Sequence, residues 1–206
     1  MTRYSTRLFA ATVITLLSPA CSVLEPRPDP SRFYVLTSTD LGTADGTAMP
    51  NLALGLGPIL LPDYLQRQEL IRRTGPTEVR PSSVDRWAGT LDSNIKRVMA
   101  ENLARQIGTD RIWVYPSLEI TRTDYTIDIT VVRFDLDTQN NALLNARWEV
   151  RDNKIKTRSV SRETRTTSAA SSPDAGAGVE ALSRTLGDLG RDITAVVREM
   201  AANRRN

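Results

Sequence analysis

The sequence predicts a single α+β domain in which a mainly antiparallel, mixed sheet packs against two amphipathic helices. In two long stretches, apolar residues recur at three- and four-residue steps, which is typical of helices with one buried face. Before and between them, shorter stretches alternate apolar and polar residues, which is typical of half-buried strands. The resulting order of strands, helix, strands and helix indicates an α+β domain.

The first helix is predicted over residues 84–107. Ser82 or Ser83 would cap its start, and Gly108 would end it. The predicted buried stripe consists of Val84, Trp87, Leu91, Ile95, Val98, Met99, Leu103 and Ile107.

The second helix is predicted from Val179 onward, after a flexible Ala- and Ser-rich connector at residues 167–178. Its apolar residues again recur at helical spacing. They are Leu182, Leu186, Leu189, Ile193, Val196, Val197 and Met200.

Early strands are predicted at residues 33–36 and 52–56, and the second leads through Gly57-Pro58 into the apolar run at residues 59–61. A hairpin is predicted at residues 69–73 and 78–80. A longer strand at 125–136 changes its alternation after Val131, which predicts a β-bulge. A further strand follows at 144–150. Residues 155–166 contain only Ile155 and Val160 as apolar members, so we expect an exposed edge strand there.

Composition excludes several classes of chemistry. The 206 residues include no histidine and one cysteine, so a Ser-His-Asp triad, an imidazole base and an internal disulfide are absent. The 27 basic and 24 acidic residues give a net charge of +3, and two of the basic residues lie in the first twenty positions. We therefore expect no nucleic-acid partner, no metal and no cofactor.

The N-terminus is typical of an export signal. Arg3 and Arg7 precede an apolar stretch at residues 8–17 that is too short to span a hydrocarbon core of about 30 Å. We expect residues 1–20 to be a signal peptide. Cys21 then lies where a bacterial lipoprotein is lipidated, although simple cleavage that leaves a free thiol is the alternative.

Lipidation at Cys21 would anchor the chain in a membrane. Ser22 occupies the position at which aspartate commonly signals retention in the inner membrane, so we expect the outer membrane, with the domain facing the periplasm. Residues 21–31 are proline-rich and predict an extended tether of about 30 Å, leading to a folded domain at residues 32–206.

Two short patterns are candidates for catalysis. Ser93 and Lys96 match the S-x-x-K nucleophile motif, but its companion elements S-D-N and K-T-G are absent from the sequence. Asp135 and Asp137 lie two residues apart on a predicted strand, and we interpret them as solvent-facing carboxylates. The sequence thus predicts no catalytic residue.

Partner contacts are expected at the predicted edge strand, where Arg158, Val160 and Arg162 lie. Open backbone groups at an edge can pair with another chain, and the arginines could bind an acidic partner. Because acidic residues are interleaved there, a solvated sheet face is the alternative interpretation.

Beyond the cysteine and the proline-rich tether, short motifs follow one another in order. They are Phe33-Tyr34-Val35-Leu36-Thr37, Gly55-Leu56-Gly57-Pro58, Leu61-Pro62-Asp63-Tyr64-Leu65-Gln66-Arg67, Leu70-Ile71-Arg72-Arg73, Val84-Asp85-Arg86-Trp87-Ala88-Gly89-Thr90-Leu91, Ala100-Glu101-Asn102-Leu103, Arg133-Phe134 and Ala146-Arg147-Trp148. This series resembles the ABC-type transport auxiliary lipoproteins, the PqiC-like family.

The resemblance implies a non-enzymatic outer-membrane lipoprotein that works with an MCE-domain periplasmic protein in intermembrane lipid transport. It implies core positions for Trp87 and Leu91 and backbone-fixing roles for Gly57 and Pro62, and it makes Arg67 and Arg86 candidates for binding acids or a partner. Two alternatives stay open: an envelope or cell-wall scaffold without a transport role, and assembly into a homo-oligomer.

Overall fold

The structure is a computed structural model that describes residues 28–39 and 48–205. The predicted signal peptide and Cys21 lie outside the described residues. The chain divides into two compact units, Met1–Pro30 and Ser31–Asn206. Among the described residues, the hydrophobic core lies in the second unit, so residues 31–206 form a domain with a core of its own.

The described part of this domain contains strands, two α-helices and two short 3-10 helices. The 3-10 helices are Asp63–Leu65 and Leu118–Arg122. The strands and α-helices are β1 (Arg32–Tyr34), β2 (Leu54–Leu60), β3 (Glu69–Arg73), β4 (Val79–Trp87), α1 (Leu91–Ile107), β5 (Ile112–Val114), β6 (Tyr125–Leu136), β7 (Ala142–Asp152), β8 (Ser159–Ser168) and α2 (Ala175–Arg205).

The strands form one mixed eight-stranded sheet around β6. On one side of β6, β7 and then β8 follow in antiparallel pairing. The other side of β6 is shared, because β2 runs parallel to its first half and β3 reaches Leu136 at its end. β4 and β1 extend the sheet beyond β3, and β5 extends it beyond β2.

The predicted hairpin and β-bulge are confirmed. Arg73 pairs with Val79 across the β3–β4 turn. In the β6–β7 ladder the register shifts between Val131 and Arg133, so Val132 is the extra residue and its side chain is partly exposed. The bulge explains the change in alternation, because it turns the later apolar side chains back towards the core.

The predicted start of the first helix is wrong. Val84 and Trp87 belong to β4, and α1 begins only at Leu91, where Thr90 accepts a hydrogen bond from the Ser93 N–H. Trp87 is nevertheless buried, because the strand and the helix bury side chains against the same core. The predicted end is confirmed, since Gly108 has a φ of 75° and its N–H binds the Ala104 carbonyl oxygen.

The second helix also begins elsewhere than predicted. α2 starts at Ala175, and Asp174 accepts a hydrogen bond of 2.9 Å from the Ala177 N–H, which leaves only residues 169–174 as connector. The Gly- and Ala-rich start is helical because it packs closely: a methyl group on Gly178 would lie 2.6 Å from Leu136 Cδ1. The last strand is shifted to Ser159–Ser168, and in the described part of the chain it pairs only with β7.

Both helices cover the sheet and contact each other. α2 lies on β6, β7 and β8, while α1 lies on β2 and β5. The core between them includes Trp87, Phe134, Leu103 and Leu186, all buried. The predicted fold class, one α+β domain with a mixed sheet and two helices, is therefore confirmed. Within the described ranges, neither helix is both long enough and apolar enough to cross a membrane.

Candidate functional site

The structure brings Arg67 and Arg86 together on one carboxylate. Glu69 Oε2 lies 3.1 Å from Arg67 Nε, and Glu69 Oε1 lies 3.9 Å from Arg86 Nη1. The β3–β4 ladder produces this arrangement, because Glu69 and Arg86 are paired residues on adjacent strands. A hydrogen bond from its own backbone N–H and the two arginine charges lower the pKa of Glu69. Two cations share one anion here, so the group carries an excess positive charge.

The other three predicted contact residues lie apart from this pair, at β8. In the sheet, β6 and β7 separate β8 from β3 and β4. Arg158 forms the turn before β8, where its N–H binds the Ile155 carbonyl oxygen at 2.8 Å. Val160 packs against the core, and Arg162 Nη2 lies 3.9 Å from Glu199 Oε2 of α2. Val160 and Arg162 thus point towards the helix side.

The outer face of β7 and β8 carries mixed charges. Arg165 lies 3.0 Å from Glu163, and Arg151 binds Asp128 and Glu149. These pairs neutralise much of the local charge, which is typical of a solvated sheet face. What β8 offers to a partner is its open backbone edge together with the exposed Arg162 guanidinium.

Ser93 and Lys96 do not form a catalytic pair. The Ser93 hydroxyl accepts a hydrogen bond of 2.8 Å from the Thr90 hydroxyl at the start of α1. Lys96 Nζ instead lies 2.8 Å from Asp92 Oδ2, one turn earlier on the helix. Ser93 therefore belongs to the hydrogen bonds at the start of α1, and Lys96 belongs to a surface ion pair with Asp92.

The interpretation of Asp135 as solvent-facing is wrong. Its side chain is fully buried and binds Arg73 at 3.1 Å and Arg133 at 2.8 Å, and the Tyr64 hydroxyl lies 3.3 Å away. Burial, and then the Asp135 charge, raise the pKa of Tyr64. Asp137 is different: it accepts hydrogen bonds from the backbone N–H groups of Gln139 and Asn141 and so stabilises the β6–β7 turn.

A cavity that the sequence did not predict lies at the end of α2, and we call it the Arg204 cavity. It has a volume of about 550 Å³. The Arg204 guanidinium lies 4.4 Å from the centre of the Tyr125 ring and binds Asp124 and Asp152. The Tyr125 hydroxyl is buried and has no hydrogen-bond partner among the residues that the structure describes. Burial acts to raise the pKa of Asp152, but hydrogen bonds from Arg204 and from two backbone N–H groups outweigh it and lower that pKa.

A second cavity, the β2–α1 cleft, has a volume of about 560 Å³. It lies between the end of β2 with the segment that follows it and the first turns of α1. Its lining is Pro58, Ile59, Leu60, Leu61, Leu65, Gln66, Arg67, Gln68, Thr90, Leu91, Asp92, Lys96 and Tyr115.

The β2–α1 cleft combines an exposed apolar wall with basic side chains. Leu60 is 58% exposed and Tyr115 is 50% exposed, and both line the same cleft. Arg67 and Lys96 add two cations to the lining. In the sequence, the apolar run at residues 59–61 is the only sign of this cleft. Which of these residues stays exposed to solvent depends on the start of α1, about thirty positions further along the chain.

Residues 28–39 and 48–205 contain no group of three or more acidic or cysteine side chains placed to hold a metal ion. The described surface presents an open strand edge at β8, an arginine pair on Glu69 and an apolar cleft.

The family follows from comparison with known proteins. Residues 34–194 match the model of the family described as "ABC-type transport auxiliary lipoprotein component". The chain belongs to this family. The match covers most of the folded domain and confirms the resemblance found in the short motifs.

Individual relatives agree with this assignment. The intermembrane transport lipoproteins PqiC of Escherichia coli K12 and of Shigella flexneri are each 23% identical to this chain over 116 residues. The aligned region covers 56% of this chain and 60% of the length of those relatives.

Solved structures share the fold at low sequence identity. The crystal structure of protein XCC0632 from Xanthomonas campestris matches with a TM-score of 0.70 at 14% identity, covering 85% of this auxiliary lipoprotein and 99% of that chain. The crystal structure of an uncharacterized protein matches with a TM-score of 0.67 at 16% identity, covering 81% of this chain and 98% of the other.

Proposed function

We propose that this auxiliary lipoprotein is anchored in the outer membrane and docks an MCE-domain periplasmic protein of an ABC-type intermembrane lipid transport system. The observation that carries the proposal is the family match over residues 34–194, together with relatives named as intermembrane transport lipoproteins. In this role the protein holds a partner in place and catalyses no reaction. The placement of Ser93 and Lys96 in a helix start and an ion pair agrees with such a role.

The anchor in this proposal is a lipidated Cys21, followed by a tether at residues 21–31. Several acyl chains bind a bilayer far more firmly than one chain does, because each buried methylene contributes about 0.8 kcal/mol. Ser22 after the cysteine favours the outer membrane over the inner one. The domain would then face the periplasm.

The docking surface in this proposal is the β8 edge. In the described part of the chain β8 has a strand partner on one side only, so its other backbone edge can accept a strand of a partner or of a second copy. Arg162 is exposed, and its contact with Glu199 is long, at 3.9 Å between Nη2 and Oε2. Its guanidinium therefore adds a cation that an acidic partner can bind.

The test is crosslinking in living cells followed by purification of the protein from their membranes. A photo-crosslinking residue replaces Ser161, which is exposed on β8. We expect an MCE-domain protein or a second copy of this chain in the crosslinked product. Val160→Pro should weaken the assembly by disturbing the edge, and Arg162→Glu should weaken it without a backbone change. Arg122→Glu, on the exposed 3-10 helix, is the matched control. Capture of cell-wall enzymes in place of an MCE-domain protein would favour the scaffold alternative.

A further inference from the structure

We infer that the β2–α1 cleft binds a single-chain amphiphile with an anionic head, of the fatty-acid or lysophospholipid type. Its volume of about 560 Å³ lies within the range of roughly 300–1,000 Å³ that is typical of small-molecule sites. The inference adds a ligand to the proposed docking role, and it concerns a different surface from β8.

The apolar wall accounts for the chain of such a ligand. Its accessible apolar side chains are Pro58, Leu60, Leu61 and Tyr115. Leu91, at the start of α1, is only 3% exposed and lines the cleft without adding accessible apolar surface. Leu60 is 58% exposed although it belongs to a strand of the central sheet, so this wall has apolar surface that an acyl chain would remove from water.

The charges account for the head group. Arg67 lines the cleft, and its Nε lies 3.1 Å from Glu69, a residue that is not part of the lining. Lys96 is paired with Asp92 at 2.8 Å on the opposite wall. The lining holds two cations, Arg67 and Lys96, and one carboxylate, Asp92, so its own side chains carry one net positive charge. A positive charge next to an apolar surface is complementary to a phosphate or carboxylate head.

The backbone disfavours the other obvious occupant, an added peptide strand. β5 pairs with β2 only from Leu54 to Leu56, so the edge of β2 is open beyond that point in the described residues. Pro58 lies in the middle of this open stretch and has no N–H to donate to a neighbouring strand. An amphiphile makes no backbone hydrogen bonds, so the missing N–H of Pro58 does not prevent its acyl chain from binding here, whereas it disfavours a peptide strand.

The experiment is a titration of isotope-labelled residues 31–206, followed by backbone amide NMR. The ligands are lauroyl-lysophosphatidylglycerol, laurate and, as a zwitterionic comparison, lauroyl-lysophosphatidylcholine, all below their micelle concentrations. We expect saturable 1:1 binding of the two anionic ligands, with the largest shifts at Leu60, Gln66 and Lys96, and weaker binding of the zwitterion. The two anionic arms distinguish a phosphate from a carboxylate head.

Two variants and their controls assign the site. Leu60→Asp should abolish binding, whereas Leu118→Asp, at a 91% exposed leucine outside the cleft, should leave it unchanged. Arg67→Gln should weaken binding of the anions about tenfold, because a charge-assisted hydrogen bond is lost, while Arg122→Gln should not. No saturable binding, equal binding of the zwitterion, or full binding by Leu60→Asp would overturn the inference. Capture of a partner through β8 is measured separately and should survive Leu60→Asp, so the two proposals fail independently.

Discussion

Gln106 of α1 donates a hydrogen bond of 3.0 Å to the carbonyl oxygen of Gly187 on α2, and its side chain is almost completely buried. The Thr194 hydroxyl lies 3.4 Å from the same amide. Gly190 permits this contact, because a methyl group there would lie 2.7 Å from Gln106 Oε1. One polar side chain thus joins the two helices inside an apolar interface.

Replacing this side chain should destabilise the domain. Gln106→Ala removes the buried hydrogen bonds and leaves a cavity, so we expect a loss of about 1–3 kcal/mol in the free energy of unfolding. Urea denaturation of residues 31–206 measures it. Gln139→Ala, at an exposed position in the β6–β7 turn, is the control and should change little. Equal stability of the two variants would show that the helix contact contributes nothing.

Trp87 is the second core test. Its side chain is 4% exposed at the end of β4, so Trp87→Ala should cost about 3–5 kcal/mol of stability. That loss is comparable with the whole stability of many domains, and the variant should be largely unfolded at 37 °C by circular dichroism. Phe33→Ala is the matched control, because Phe33 is 62% exposed. A native melting curve for Trp87→Ala would contradict the buried position.

The error at Trp87 shows what spacing alone can determine. Val84, Trp87 and Leu91 fit helical spacing by sequence, and the helix does end at Gly108 as predicted. The start was wrong because β4 and α1 bury residues in the same core, so the apolar spacing continues across the strand end at residue 87. Thr90, which caps α1, was the signal that could have placed the helix correctly.

The sequence predicts a feature of the structure only where neighbouring residues in the chain determine it. The β6 bulge follows from the alternation of neighbouring residues. The burial of Asp135 does not, because it requires Arg73 from β3, 62 positions away, to reach the end of β6. The β2–α1 cleft likewise depends on where the start of α1 meets the end of β2, and no local pattern contains that information.

Acid should remove the contribution that the carboxylates bound to Arg204 make to the stability of the fold. The folded-state pKa of Asp152 is lowered, against the opposing effect of burial, by its hydrogen bonds to Arg204 and to backbone N–H groups. A carboxyl group with a depressed folded pKa stabilises the fold above its unfolded pKa of about 3.9, and this contribution is lost as the pH falls through the folded value. Asp124 is shifted in the same direction, with contributions from Lys154 and Arg204 that outweigh burial.

Arg204→Met should therefore lower stability by about 1–3 kcal/mol at pH 7, because it removes a cation from Asp152, whose side chain is fully buried, and from Asp124, which is mostly buried. The difference from the parent protein should shrink as the pH falls below about 4. Urea denaturation at a series of pH values measures it. Arg191→Met, at a more exposed ion pair with Asp188, serves as the comparison and should show a much smaller difference. A difference for Arg204→Met that is constant with pH would mean that packing of its stem, not charge, is responsible.

The anchor is tested by the only cysteine. Cys21→Ser removes the thiol that we expect to carry the lipid, so the protein should leave the membrane fraction and be found in the periplasm. Ser22→Asp keeps the thiol and should shift the protein towards the inner membrane where that retention signal operates. Density-gradient fractionation separates the three outcomes. Recovery of Cys21→Ser with outer-membrane vesicles would show that the lipid anchor is not what holds the protein there.

Ser93 is the last test, because it is the one serine in a pattern that enzymes use as a nucleophile. The Thr90 hydroxyl donates to the Ser93 hydroxyl at 2.8 Å, while Lys96, which would have to take its proton, is held by Asp92 at 2.8 Å. Ser93→Ala should therefore leave envelope function intact, so it should complement a deletion strain as fully as the parent protein does. Thr90→Ala is the structural control: it removes the cap of α1 and should lower stability by about 1 kcal/mol. If Ser93→Ala loses envelope function while its melting temperature equals that of the parent, the hydroxyl has a chemical role, and the docking function proposed here is incomplete.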